Sequence, residues 1–246
     1  MPPQIRILDD PETLAEAAAA RCEEILRRAV ATAGTAHLAL AGGRTPRALY
    51  RRLARRGGID WRRVHVWFGD ERAVPFDDPR SNYRMARETL LEHVPVPPAQ
   101  VHPMRARPPC LRDDAEAYAA TLCALAPLSA LGVPCLDLVL LGLGADGHVA
   151  SLFPGTRALA ERDDPVAAVD EPGIEPPRLT LTLPVLDHAR HLLLLVAGEE
   201  KAAVVRRALA EAPRGEPLPV QRLAPRGTLE WFLDAAAAAG VPREGA

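Results

Sequence analysis

Serine is scarce in this 246-residue chain, occurring only at Ser81, Ser129 and Ser151. None of the three sits in the GxSxG turn that lifts a nucleophile off a strand end, so a covalent serine hydrolase of that type is excluded. Cys22, Cys110, Cys123 and Cys135 are scattered without a CxxC pair, so neither a zinc knuckle nor a redox dithiol is written in the chain. GxxxxGKS and GxxxxGKT are both missing, which removes the Walker-type phosphate loop. No apolar run approaches the roughly 20 residues of a membrane span, and the opening stretch MPPQIRILDDPETLAEAAAARCEE gathers charges before an apolar core can form, unlike a signal peptide. Charge is nearly balanced, at net -2 from 30 basic and 32 acidic side chains, so no global field recommends nucleic acid or an anionic membrane as a partner. The expected address is the cytoplasm, and any anion must be caught by local chemistry.

What is present is enough apolar material for a core, 48% of residues, arranged in alternating patterns. Pro11 follows Asp10 where a first helical turn tolerates it, and Leu14, Ala18, Cys22, Ile25, Leu26 and Ala29 recur at helical spacing until Gly34 stops them. HLALAGG then reads as a strand ending in a tight turn, with Thr45 as a cap and Pro46 in the first turn of the next helix. The alternation returns with VHVWFGDER as a strand and with helices at Asn82 to Glu92 and Asp113 to Leu125. LDLVLLGLGADGH, almost wholly apolar up to its glycines, reads as a central parallel strand. Thr156 to Pro177 reads as loops with a small edge element, RLTLTLPVL and HLLLLVAG as strands, and Glu199 to Glu211 and Thr228 to Ala239 as closing helices. With no linker or internal repeat, the expectation is one α/β domain over residues 1–246: a doubly wound, mostly parallel sheet with helices on both faces, a three-layer α/β/α stack.

In such sheets ligands sit outside the carboxyl ends of the strands, where GGRTP, GDER, GLGADGH and GEEK all fall. In GGRTP, Gly42 and Gly43 permit a tight turn before a helix whose free amides and positive dipole end can cradle phosphate, although an ordinary strand-to-helix turn needs the same residues. GLGADG fits the GxGxxG dinucleotide pattern, but Pro154 and Gly155 interrupt the long helix that such a site opens, so no nicotinamide is expected. Asp146 and His148 put a carboxylate and an imidazole two positions apart at a strand mouth, the arrangement of an oriented general base. Asp70 offers a second carboxylate for orienting it, and Arg72 has planar donors for a phosphate or an oxyanion. Arg178, Thr180 and Thr182 share one strand face, and Lys201 stands at a helix start. His188 and His191 flank a turn near Asp187, a poor geometry for a metal.

Taken in order, LALAGGRTPRALYRRLA, VWFGDERAVPFDDPRSNYRMARETLL, LDLVLLGLGADGHVASLFPG, RLTLTLPVL and VAGEEKAAVVRRAL resemble the successive signature blocks of the 6-phosphogluconolactonase family, from about Leu38 to Leu209. The resemblance implies a fold related to glucosamine-6-phosphate deaminase and ribose-5-phosphate isomerase, hydrolysis of a phosphorylated sugar lactone in the oxidative pentose phosphate pathway, and no metal or organic cofactor. It implies substrate contacts at Gly42, Gly43, Thr45, Arg72, Ser81, Asn82, Arg178 and Lys201, with His148 as base and Asp146 or Asp70 orienting it. Sequence alone leaves open which of Thr45, Arg72, Arg178 and Lys201 meet the phosphate; the favoured division gives the GGRTP loop, Arg178 and Lys201 to phosphate and leaves Arg72 for the carbonyl. The related deaminases carry DEY and DGHIAFNEP where this chain has GDER and DGHVASLFP, so a deaminase-like isomerase would lack its glutamate, Phe153 standing in that place. A non-catalytic sugar-phosphate sensor is the remaining alternative, with no helix-turn-helix segment before the domain to support it.

Overall fold

The computed structural model describes residues 3–210 and 215–241. In chain order the elements are β1 (Gln4–Leu8), α1 (Pro11–Ala33), β2 (Ala36–Leu40), α2 (Arg44–Leu53), β3 (Val64–Phe68), β4 (Asp70–Arg72), α3 (Asn82–Thr89), α4 (Leu111–Leu125) and β5 (Leu138–Leu141). They continue with α5 (Arg157–Ala160), β6 (Val166–Val169), β7 (Arg178–Leu181), α6 (Leu183–His188), β8 (His191–Val196), α7 (Ala202–Ala208) and β9 (Thr228–Asp234). Six strands form one parallel sheet in the order β1-β9-β8-β5-β2-β3, and β4-β7-β6 form a small antiparallel sheet.

Local chemistry explains the long first helix. The Asp10 carboxylate accepts from the Thr13 amide at 2.7 Å while Thr13 Oγ1 accepts from the Asp10 amide at 3.1 Å, a reciprocal cap. Gly34, at φ +80°, ends the helix by donating to the Val30 carbonyl. The stripe Leu14, Ala18, Cys22, Ile25 and Leu26 is buried against the sheet core. Strands β2, β5 and most of β8 are buried along their whole length, as covered parallel strands must be.

Four expectations change. Thr228–Asp234, read from its alanine-rich continuation as helix, is β9, seated between β1 and β8. Its β-branched and aromatic TLEWFLD fits a sheet interior better than a helix, and alanines enter only after the strand ends. VHVWFGDER is not one strand: Gly69 hands the chain from β3 in the large sheet to β4 in the small one. RLTLTLPVL is a strand only to Leu181, after which Pro184 occupies the first turn of α6. Thr45 does not cap α2; Gly43 holds the cap position and contributes no side-chain bond. The edge strand β1 had no expectation attached to it, and Glu211, the expected end of the penultimate helix, lies outside the described residues.

Glu230 on β9 is fully buried and held by Arg21 from α1 at 2.7 Å and by Arg6 from β1 at 3.0 Å, tying three elements together. At the amino ends of the strands lies a stack of histidines. His37 on β2 and His65 on β3 are register partners with ring centroids 4.8 Å apart, and His65 Nδ1 is 3.1 Å from His102 Nε2. Trp67 closes the stack at 3.9 Å from His102, and its Nε1 donates to His37 Nδ1 at 3.2 Å. Burial, with the neighbouring histidines adding to it, takes His37 and His102 down to about 4.

Candidate active site

At the opposite, carboxyl ends of β2, β3, β5 and β8 opens a cavity of about 600 Å³. It spans the point where the chain order reverses, β2 leading outward to β3 and β5 leading the other way to β8, which is where a doubly wound sheet leaves a crevice. Its wall includes Gly42, Gly43, Thr45, Asp70, Arg72, His148, Arg178 and Lys201. Five segments distant in sequence therefore converge on one cleft.

The turn after β2 is set from beneath. The buried Tyr50 hydroxyl donates to the Ala41 carbonyl and accepts from its amide, both at 2.8 Å. Gly42 has no room for a side chain, because a Cβ would collide with the Asn82 amide group, and Gly43 takes φ +109°. With no side chain capping α2, the first amides of this ten-residue helix face the cleft without intrahelical partners.

After β5, Gly142 to His148 curls into a turn. Gly144 donates to the His148 carbonyl at 2.9 Å, and a Cβ on it would meet the His148 ring. His148 Nδ1 lies 2.6 Å from Asp146 Oδ1. A carboxylate accepts here, so Nδ1 carries a proton and, in the neutral ring, Nε2 holds the lone pair, with no partner among the described residues. The GxGxxG glycines do not open a helix: a Val149↔Leu152 bridge follows, and the next helix is the four-residue α5. The dinucleotide pattern therefore lacks its structural context.

The small sheet supplies the cations. Arg72 and Arg178 are cross-strand partners on β4 and β7, and the Nε of each is buried without a hydrogen-bond partner. Burial lowers the Arg178 guanidinium below its ordinary value, with Asp70 opposing and Arg72 adding to the fall. Two adjacent guanidinium groups with spare donors make a site for an anion. Arg72 Nη1 also donates to the Arg80 carbonyl at 2.6 Å. Lys201 Nζ donates to the Leu143 carbonyl at 2.8 Å, anchoring the ammonium on the floor between the β5 and β8 turns. It is the only lysine among the 30 basic residues. Across the rim, Arg44 pairs with Glu200 at 2.8 Å, both exposed.

The remaining expected residues stand one layer back. Asp70 Oδ2 accepts from Ser151 Oγ at 2.7 Å and is 4.0 Å from Arg178, and Asp70 Oδ1 accepts from Asn82 Nδ2 at 3.1 Å, so its carboxylate is engaged by these two neighbours and makes no hydrogen bond to the imidazole. Ser81 and Asn82, expected as substrate contacts, are buried behind the cavity wall. Ser81 caps α3 and donates to Glu71 at 3.0 Å, and Asn82 braces Asp70 and Gly42. Glu71, pushed up by burial and opposed by the amides of Tyr83, Asn82 and Arg72, belongs to this frame. His188 Nδ1 faces the Pro184 carbonyl and His191 Nδ1 faces Thr228, so both are tied into the scaffold. Sequence reasoning missed the roles of Ser151, the Leu143 carbonyl and Phe153. Ser151 follows His148 by three positions, and no local pattern announces its reach to Asp70.

Residues 9–231 match the family model of glucosamine-6-phosphate isomerases/6-phosphogluconolactonase. A 6-phosphogluconolactonase of Synechocystis sp. is 40% identical over 95% of this chain and 96% of its own length. Among solved structures, 6-phosphogluconolactonase from Trypanosoma brucei superposes with a TM-score of 0.86 at 34% identity, covering 98% of this chain and 99% of that one. The 6-phosphogluconolactonase from Leishmania guyanensis gives 0.88 at 31% identity, covering 99% and 100%.

Proposed function

The chain belongs to the family of glucosamine-6-phosphate isomerases and 6-phosphogluconolactonases, and from that premise we propose that its cleft hydrolyses 6-phospho-D-glucono-1,5-lactone to 6-phosphogluconate in the oxidative pentose phosphate pathway. The observation that carries the mechanism is the His148–Asp146 pair, with Nε2 open to a cleft ringed by Arg72, Arg178 and Lys201.

His148 Nε2 takes a proton from water as the oxygen attacks the lactone carbonyl. Asp146, at 2.6 Å, holds the ring in the required tautomer and stabilises the imidazolium that forms. Arg72, on the cleft wall, supplies its guanidinium to the developing oxyanion. The tetrahedral adduct collapses by breaking the bond to the ring oxygen, which receives the proton back from His148. The amino end of α2, Lys201 and Arg178 hold the phosphate, so that binding energy remote from the carbonyl positions it for attack. The deaminase alternative needs a further proton-transfer group near the base. The ring next to His148 is that of Phe153 at 4.3 Å, which cannot supply one. No helix among the described residues is long and apolar enough to cross a membrane. Four unpaired thiols fit the reducing cytoplasm, where we place the enzyme.

The deciding experiment is a pH-stat assay on freshly prepared 6-phosphogluconolactone, corrected for spontaneous opening. Acid release well above the buffer rate is expected, and a rate equal to buffer removes the proposal.

A further inference from the structure

His148 is held by a single side-chain hydrogen bond, to Asp146, and that carboxylate is itself 46% exposed. One bond fixes a distance but leaves the imidazole free to swing about it. Arg178 has a complementary deficit: its nearest carboxylate, Asp70, is 4.0 Å away and its Nε has no partner. One side chain touches both groups. The Phe153 ring lies 4.3 Å from the His148 ring at an interplanar angle of 46°, and the Arg178 guanidinium carbon sits 5.2 Å from the centre of the same ring.

The chain is bent deliberately to achieve this. Ala150 takes φ +49°, a left-handed conformation that alanine adopts at a cost. Leu152 donates to the Val149 carbonyl at 3.0 Å, closing a tight turn that brings residue 153 back to residue 148. The turn is then pinned to the cationic sheet, because the Ser151 amide donates to Thr180 Oγ1 at 3.1 Å and its hydroxyl donates to Asp70. Phe153 itself is fixed from behind by Thr156, whose amide and hydroxyl both donate to its carbonyl.

We propose that Phe153 is a positioning residue of lactone opening: its ring sets the plane of the His148 imidazole and steadies the Arg178 guanidinium, so that base and anion-binding group are registered by one aromatic side chain. A ring face also attracts the imidazolium formed when His148 accepts a proton, so the contact strengthens as the reaction proceeds. The inference rests on the reading of His148 as the base.

The test is a double-mutant cycle on the full chain: Phe153→Leu, His148→Ala and their combination, with Phe153→Tyr as the conservative variant. Each is assayed on 6-phosphogluconolactone and melted in parallel. Phe153→Leu should lower kcat roughly ten-fold and raise KM about three-fold, the size expected of a lost aromatic and cation contact. Phe153→Tyr should keep near-native kcat. In the His148→Ala background, Phe153→Leu should change kcat by less than about two-fold, because no imidazole remains to be positioned. Should Phe153→Leu melt early, Phe153→Met, which keeps the bulk without the π face, takes its place under the same criteria. Equal fold-losses in both backgrounds, native kcat in a folded Phe153→Leu, or failure of Phe153→Tyr would each overturn the inference. Native kcat in folded His148→Ala would instead overturn the assignment of the base, and with it this proposal.

Discussion

Acidification to pH 5 should weaken the fold through the histidine stack, far from the cleft. His37 is 3% exposed, and burial first, then His65 and His102, take it from an ordinary 6.5 to about 4. A folded value below the unfolded one means that the unfolded chain binds more protons between pH 4 and 6.5. The stability contributed by neutral His37 is therefore complete above about pH 6.5 and is lost progressively as pH falls toward 4. At pH 5, relative to pH 8, that loss is about 2 kcal/mol for one such group. His102, also near 4 for the same leading reason but less deeply buried, adds somewhat less, giving roughly 3 kcal/mol for the pair. Against a total of about 5–15 kcal/mol this is a substantial fraction. Asp137, whose carboxylate accepts from the His37 amide at 2.8 Å, is raised by burial and acts in the opposite sense, so a matched variant is needed. Urea unfolding at pH 8, 6 and 5 would measure the loss in the native chain and in His37→Gln/His102→Gln. The native chain should lose roughly 3 kcal/mol more than the variant between pH 8 and 5. An equally steep loss in both proteins would refute the reasoning.

Three further outcomes are expected. Asp146→Asn should lower kcat by roughly 10- to 100-fold with native melting, less than a fully buried orienting carboxylate would cost, because water can partly replace this exposed one; an unchanged kcat would shift the orienting role elsewhere. Lys201→Ala should raise KM for the phosphorylated lactone about ten-fold or more while leaving unphosphorylated gluconolactone nearly unaffected, and Lys201→Arg should not restore it, since a planar fork cannot take the place of the ammonium against Leu143; equal losses on both substrates would place Lys201 at the carbonyl instead. Gly42→Ala should cost about 1–3 kcal/mol by driving a methyl into Asn82, measurable by thermal melting, with partial recovery in Gly42→Ala/Asn82→Ala.

The parallel core and the strand-end clusters were legible because covered strands must be continuously apolar and their carboxyl ends must carry glycine and polar residues. β2, β5 and β8 met both conditions. The first helix was legible from Asp10 to Gly34 because both caps are chemical signals. β9 was not, since its single strand's worth of TLEWFLD runs into an alanine tract that satisfies helical spacing, and only its seat between β1 and β8 decides the matter. The split at Gly69 was equally silent: a glycine within an apolar-to-charged run does not say that the chain changes sheets. In the cleft, Asp146 and His148 were legible because they are neighbours in sequence. The separation of Asp70 from the imidazole was not, since it depends on Ser151 and Asn82 arriving from other segments.

The seating of Lys201 against the Leu143 carbonyl makes the cleft chemically addressable. Because every other basic residue is arginine, an amine-selective reagent meets just two amines on the whole chain, the terminal one and this side chain. Labelling at residue 201 would therefore report whether the proposed phosphate position is open, and protection by 6-phosphogluconate would measure occupancy without any turnover. A lysine-specific protease offers the same readout by size, since its one cut falls between Lys201 and Ala202 and divides the unprotected chain into two pieces of predictable length.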